Sequence, residues 1–221
     1  MTTCAWDGKM LIADTRVSFV ENGVLKAVDD VVQTKIFEAP HLTLNGKQVQ
    51  VVAYSGAIEI AHLAHAIIFD ETDSRDMSEV RFYKQFASMF EKYVGGFIVV
   101  LEDSVNVIQV ATIDGDTSVQ WQQFARNQTV VIGSAIQKLF KYAPQSTLAR
   151  LDAYKLVRMA SFLDDATGGD FHVWTENDFC LVRPPCGLKQ KWGILLVKLI
   201  GPLFVRYEKH TIANSQRKLA V

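Results

Sequence analysis

The 221-residue sequence has few cysteines and prolines: three and five, respectively. Cys4, Cys180 and Cys186 are too few and too scattered for a disulfide framework or a four-cysteine zinc site, and they suit a reducing compartment. The five prolines and 13 glycines form no evident linker. The length fits one large domain, so we expect a single domain over residues 1–221.

The chain also lacks an excess of charge and a long apolar run. Its 23 basic and 24 acidic residues give a formal net charge of −1, so bulk charge predicts neither a nucleic-acid partner nor an anionic membrane partner. The N-terminus has no basic flank or apolar core typical of a signal peptide. The longest apolar stretch, 192–205, is about 14 residues, short of the roughly 20 that span a bilayer. We therefore expect a cytoplasmic protein.

Strand-like and helix-like segments are grouped along the chain rather than alternating one for one. This order favours an α+β fold over a doubly wound parallel sheet. Apolar residues at helical spacing predict helices over 57–68, 76–93 and 147–163. Runs rich in β-branched residues predict strands over 17–20, 31–37, 48–54, 97–101, 105–110, 118–121, 129–132, 171–175 and 179–182.

The first 14 residues predict a β-hairpin. Asp7-Gly8 suits a two-residue type I′ turn, because both positions tolerate positive φ. That turn would place Thr2 opposite Ala13, with Asp14 beside it. Asn45-Gly46 predicts a second turn of this kind.

Thr2 is a candidate nucleophile. Initiator methionine is usually removed before a residue as small as threonine, and its removal would expose Thr2 as the N-terminal residue. A free N-terminal threonine combines a hydroxyl nucleophile with its own α-amine, whose reference pKa near 8 makes it a usable general base.

The run from Thr2 to Arg16 resembles the opening of proteasome β-subunits and HslV-type peptidases. Members of that family begin with threonine, form a hairpin and continue into an Ala-Asp-Ser/Thr-Arg-like motif. The resemblance extends in order through four further segments, to about residue 178. They are Thr34-Lys35-Ile36-Phe37, Tyr54-Ser55-Gly56-Ala57, Gly133-Ser134 and the segment Asp164-Asp165-Ala166-Thr167-Gly168-Gly169.

The resemblance implies a four-layer αββα sandwich of the N-terminal-nucleophile (Ntn) hydrolases and threonine-type peptide-bond hydrolysis. The implied roles are Thr2 as nucleophile, Lys35 as the cation that lowers its effective pKa, and Asp14 as the carboxylate that orients Lys35. The backbone N–H of Gly56 would bind the oxyanion. Ser134, Asp164 and Thr167 would support the amine of Thr2. Tyr54 and Ser55 are expected to contact substrate.

The family also implies a homo-oligomeric ring, an unfolded-protein or peptide substrate and no cofactor. The sequence contains no Walker-type phosphate loop, so an ATPase unfoldase would be a separate chain. Residues 41–50 look like an inserted or lengthened hairpin, and the extension from about residue 187 has no counterpart that can be aligned. The apolar part of that extension predicts either a final strand pair, which we favour, or a subunit contact.

Two other functions remain open. The chain could be a catalytically inactive proteasome-like subunit that retains Met1 and serves assembly. It could also be an Ntn amidase that acts on a small amide, because a fold does not fix its substrate. His62 and His65 share a helical face but lack a third ligand, and Asp114-Gly115-Asp116 is more typical of a turn, so no metal site is expected.

Overall fold

The structure is a computed structural model that describes residues 2–22, 24–28, 33–56, 61–62, 65–66, 76–78, 95–113, 116–184, 195, 197–206 and 208. Most of the predicted helices over 57–68 and 76–93 lies outside these residues, although 61–62 and 65–66 are helical. Cys186 and the Asp114-Gly115 pair also lie outside them.

Thirteen strands are found in the described part of the chain. They are β1 (Thr3–Trp6), β2 (Met10–Asp14), β3 (Val17–Glu21), β4 (Val24–Val28), β5 (Ile36–Glu38), β6 (Thr43–Leu44), β7 (Lys47–Gly56), β8 (Gly95–Leu101), β9 (Ser104–Ile113), β10 (Asp116–Ala125), β11 (Val130–Gly133), β12 (Phe171–Thr175) and β13 (Asp178–Val182).

Two antiparallel sheets form the body of the protein. The first has the order β11-β1-β2-β12-β13 and the second β10-β9-β8-β7-β5, with β6 paired to β7. Strands β3 and β4 form a separate hairpin. Sheets of this kind combined with grouped helices confirm the predicted α+β class.

The two sheets face each other. Alternate side chains of the first sheet, such as Trp6 and Leu11, share a buried apolar cluster with Val51 and Ile98 of the second. The outer face of the first sheet packs against three helices, α1 (Ile136–Tyr142), α2 (Gln145–Leu148) and α3 (Ala153–Leu163). The outer face of the second sheet forms a third cluster, which includes Ala61 and Met77.

The first hairpin is longer than predicted. Cys4 pairs with Ala13 and Trp6 with Leu11, so the connection contains four residues rather than the two of a type I′ turn. The reason is the side chain of Asp7, whose Oδ1 accepts hydrogen bonds from the backbone N–H groups of Lys9 and Met10. The prediction that Thr2 faces Ala13 is therefore wrong.

The predicted helix over 147–163 is divided into α2 and α3. Asp152 takes an extended conformation and its side chain caps α3 by accepting from the N–H of Lys155. Asp7 contributes through its second oxygen, which accepts from the N–H of Ala153 at 2.9 Å. Local capping thus overrides the apolar periodicity that joined the two segments.

The C-terminal apolar segment is helical over residues 197–206, so the favoured prediction of a strand pair is wrong. A short continuous apolar run does not distinguish a strand from a buried helix by its periodicity. Here Gly201 packs so closely on α1 that a Cβ there would lie 1.9 Å from the carbonyl oxygen of Tyr142. None of the described helices is long and apolar enough to cross a membrane.

Candidate functional site

Thr2 lies immediately before β1, and its backbone is held by both sheets. Its carbonyl oxygen accepts a hydrogen bond from the Ser55 hydroxyl at 2.5 Å and from the Ser134 N–H at 3.3 Å. Ser55 is in β7 of the second sheet, whereas Ser134 follows β11 of the first. Only 3% of Thr2 is exposed. The position of this residue is therefore fixed from two directions.

Gly133 allows the backbone of Thr2 to lie close to the end of β11. Its φ is +116°, and a Cβ at this position would lie 1.9 Å from the carbonyl oxygen of Thr2 and 2.9 Å from the Ser55 hydroxyl. No side chain fits there without displacing the backbone of Thr2. The glycine that precedes Ser134 is thus a packing requirement of the site.

Asp14 is fully buried at the end of β2 and joins three parts of the chain. One carboxylate oxygen accepts from the N–H of Thr3 at 2.8 Å, and the other accepts from the N–H of Gly168 at 3.0 Å. Its third partner is the ammonium of Lys35, 3.7 Å from Oδ1. Asp14 therefore connects the first strand, the loop after α3 and the segment that leads into β5.

Lys35 is 3% exposed and points its ammonium at Asp14 and at the carbonyl oxygen of Arg16, which accepts a hydrogen bond of 2.7 Å. Burial lowers the pKa of Lys35, and the neighbouring Asp14 opposes that shift. Burial also raises the pKa of Asp14, which Lys35 and the two backbone donors oppose. Such a desolvated pair is typical of functional sites, although structural ion pairs also produce it.

Asp164 is the centre of a second group. Its Oδ2 accepts from the hydroxyls of Ser134 and Thr167, and its Oδ1 accepts from the ammonium of Lys138 at 2.8 Å. Burial favours the neutral carboxyl, but Lys138 and the two hydroxyls outweigh this effect and hold the pKa of Asp164 below 3.8. Asp164 is therefore ionised at neutral pH.

The second group reaches the N-terminal strand through Thr3. The hydroxyls of Thr3 and Thr167 are 2.8 Å apart, and Ser134 binds the carbonyl of Thr2 through its N–H. The structure thus brings Ser134, Asp164 and Thr167 together beside the first two threonines.

The loop 164–170 is attached to the end of β2 by backbone bonds. The N–H of Thr15 donates to Asp170 and the N–H of Arg16 to Gly168. The Arg16 guanidinium also donates to the carbonyl of Asp165 and covers Gly168, where a Cβ would lie 2.6 Å from its Cζ. These contacts fix the loop that supplies Thr167 and the N–H of Gly168 to the site.

The two residues expected to contact substrate, Tyr54 and Ser55, are both buried. Tyr54 is 2% exposed, its hydroxyl donates to the carbonyl of Thr34 and accepts from the Gln33 side chain, and burial raises its pKa to about 12. These hydrogen bonds hold Tyr54 against the segment that carries Lys35. Ser55 is equally buried and binds Thr2. Gly56 ends β7 next to Ser55, with φ +142°.

The sequence analysis assigned no role to three contributors. Two of them, Thr3 and Gly133, stand in the quoted motifs and could have been assigned one, because each adjoins a residue of the candidate site. Lys138 gave no signal, since a lysine on a helix is ordinarily solvated. The thiol of Cys4 lies nearby but donates to the carbonyl of Tyr54, and burial raises its pKa, so it is no rival nucleophile.

Metal ligands are not gathered at this site or elsewhere in the described ranges, which contain no cluster of three His, Cys, Asp or Glu side chains suited to a metal ion. Comparison with known proteins adds no relative: no family model matches the chain, and neither does any curated protein.

Proposed function

We propose that this chain is a threonine-type peptidase that uses Thr2, exposed by removal of Met1, as its N-terminal nucleophile. The observation that carries the proposal is the buried Asp14–Lys35 pair, which accepts a hydrogen bond from the N–H of Thr3, the residue after a Thr2 whose carbonyl is held by both sheets. Burying two charges costs free energy, and a purely structural pair gains little over apolar packing. A catalytic need for a cation near the N-terminal strand accounts for the pair.

The proposed reaction forms an ester at Thr2. Its Oγ attacks the carbonyl carbon of a peptide bond, its α-amine accepts the hydroxyl proton, and the same proton passes to the leaving amine as the C–N bond breaks. Water then hydrolyses the ester and regenerates the hydroxyl. Lys35 stabilises the developing alkoxide, and Asp14 holds the Lys35 ammonium in place.

The remaining residues support these steps. The N–H of Gly56 is proposed to bind the tetrahedral oxyanion. Ser134, Asp164 and Thr167 fix the first two threonines and stabilise positive charge on the α-amine through the ionised Asp164. Thr3 is added to this set because its hydroxyl contacts that of Thr167.

The proposal includes the finer architecture, a four-layer αββα sandwich of the Ntn hydrolases. Helices on one sheet, a second sheet facing the first, and buried Ala61 on the far side of the second sheet support it. A self-compartmentalising homo-oligomer that takes peptides or unfolded protein, fed by a separate ATPase, belongs to the same proposal.

Intact-mass spectrometry before and after incubation with a threonine-directed epoxyketone tests the proposal. We expect a mass that lacks Met1 and a gain of one inhibitor, mapped to Thr2 by peptide sequencing. The Thr2→Ala protein is the matched control and should gain none. Folded protein that retains Met1 and gains no inhibitor would contradict the proposal and favour the assembly subunit. Loss of Met1 and adduct formation with turnover of small amides alone would favour the amidase.

A further inference from the structure

A cavity of about 200 Å³ lies between the two sheets, where β5 ends the second sheet and β13 ends the first among the described strands. Its lining comes from the segment around β5 and from the β12–β13 pair, and consists of Thr34, Ile36, Phe37, Glu38, Trp174 and Phe179. None of these residues belongs to the candidate site. The ammonium of Lys35 is directed instead at Asp14 and at the carbonyl of Arg16. The cavity is therefore a separate feature of the fold.

Two aromatic side chains line the cavity from neighbouring strands. Trp174 and Phe179 are opposite each other in the register of β12 and β13, so their side chains lie on the same face of the sheet. Trp174 is buried against Trp6, with ring centroids 6.4 Å apart, whereas Phe179 is 45% exposed. The Phe179 ring stacks on the His172 imidazole at 5.6 Å. Each aromatic wall is therefore held by a further ring.

Glu38 supplies a negative charge to the cavity. Its Oε1 accepts a hydrogen bond of 2.9 Å from the indole N–H of Trp174, which holds the carboxylate beside the ring. Glu38 is exposed. A carboxylate has two oxygens and about four acceptor sites, so the bond from Trp174 leaves capacity for a ligand.

Three basic residues of this region have other partners. Lys35, Arg126 and Arg183 each form an ion pair with a carboxylate outside the cavity. Arg183 also lies four residues beyond Phe179, about 13 Å along an extended chain. Burial, together with the nearby Lys35, lowers the pKa of His172, so the imidazole stacked on Phe179 is neutral at pH 7. The aromatic walls therefore lie beside a net negative charge.

We propose that this cavity binds the quaternary ammonium group of a small organic cation. Aromatic rings attract such a cation through their faces, and the carboxylate supplies the opposite charge. A methylated ammonium also has an apolar surface, which suits walls formed by Ile36 and the two rings. An apolar cavity of about 150 Å³ accommodates benzene, so the volume here suits a trimethylammonium group. This inference stands independently of the peptidase chemistry.

Isothermal titration calorimetry of the full chain with choline tests the proposal. We expect one choline per chain, and binding about tenfold weaker or less for dimethylbutanol, in which a neutral tert-butyl group replaces the trimethylammonium. Glu38→Gln and Phe179→Leu should each weaken choline binding about tenfold, because one removes the charge and the other the aromatic face. The matched control is Glu102→Gln, which removes an exposed acid outside the cavity and should bind choline as the wild type does.

Absence of choline binding to folded wild-type protein would overturn the proposal. Equal affinity for dimethylbutanol would do so too, as would an affinity unchanged in both Glu38→Gln and Phe179→Leu. The Thr2→Ala protein should bind choline normally, which separates this site from the peptidase chemistry. Flotation with phosphatidylcholine vesicles distinguishes the two sources of the same group: we expect none, and co-flotation would overturn the assignment to a free cation in favour of a lipid headgroup.

Discussion

The hydroxyl of Ser55 donates a hydrogen bond to the carbonyl oxygen of Thr2. Ser55 lies in the second sheet and Thr2 immediately precedes β1 of the first sheet, so this bond connects the two sheets. Ser55 is 2% exposed, and its hydroxyl is engaged by the Thr2 carbonyl. A hydroxyl that acts as a nucleophile must be held in one place, and the distance tolerance for productive attack is a fraction of an ångström. The predictions below test this geometry and the residues around it.

Thr2 should be essential for peptide hydrolysis but should contribute little to the stability of the fold. We expect Thr2→Ala to abolish peptide hydrolysis and to leave the far-ultraviolet spectrum unchanged. Thr2→Ser should retain measurable turnover, because serine keeps both the hydroxyl and the α-amine. Thr3→Val serves as the neighbouring comparison; it loses the contact with Thr167 that supports the site, so its reaction with the epoxyketone should slow but not be abolished. Hydrolysis by the alanine variant would remove Thr2 from the mechanism.

Replacing Lys35 by methionine should lower kcat by about 100-fold or more at neutral pH, as for other lost electrostatic stabilisers of a transition state. KM should change little, since the ammonium acts on the alkoxide. The free energy of unfolding should fall by about 3 kcal/mol, because Asp14 then stays buried without its cation. Steady-state kinetics and urea denaturation measure the two effects. An unchanged kcat would exclude Lys35 from the site.

Gly133→Ala should displace Thr2. The new Cβ would meet the Thr2 carbonyl at 1.9 Å, and the φ of +116° is itself strained for alanine. We expect a loss of about 3 kcal/mol or more in stability together with loss of turnover. Gly46→Ala is the matched control: its φ is +73°, but nothing lies within 4 Å. It should cost about 1 kcal/mol and leave kcat unchanged. Equal effects of both substitutions would show that the Thr2 contact is unimportant.

The ion pair between Lys138 and Asp164 should make the free energy of unfolding depend on pH below about pH 4. The folded-state pKa of Asp164 is depressed, so its stabilising effect is complete above the unfolded value near 4 and declines as pH falls through the lower folded value. Lys138→Met should therefore lower the unfolding free energy at pH 6 by about 1 kcal/mol or less, since Lys138 is 45% exposed.

The difference between wild type and Lys138→Met should shrink as the pH is lowered from 4 to 2, because protonated Asp164 no longer attracts the ammonium. Urea denaturation across this range measures it, with Lys155→Met as a comparison at a more exposed pair to Asp152, where a similar but smaller decline is expected. A constant difference at all pH values would show that Lys138 contributes by packing alone.

The sequence by itself determined the α+β class, the limits of most strands and the residues of the candidate site. Alternating β-branched runs and grouped helices follow from local periodicity, which depends on neighbours along the chain and is contained in the sequence in full. Asp14, Lys35, Ser134, Asp164 and Thr167 were indicated by the resemblance of the motif order to that of the Ntn hydrolases.

Tertiary structure decided what depends on contacts between distant residues. The Asp7 side chain lengthened the first hairpin and helped to start α3, more than 140 residues away in the chain. Ser55 and Tyr54 are buried in the second sheet, where they bind the carbonyl groups of Thr2 and Thr34, respectively. The apolar run around Gly201 is a helix, and Gly201 packs against Tyr142, a long-range contact that no local pattern encodes.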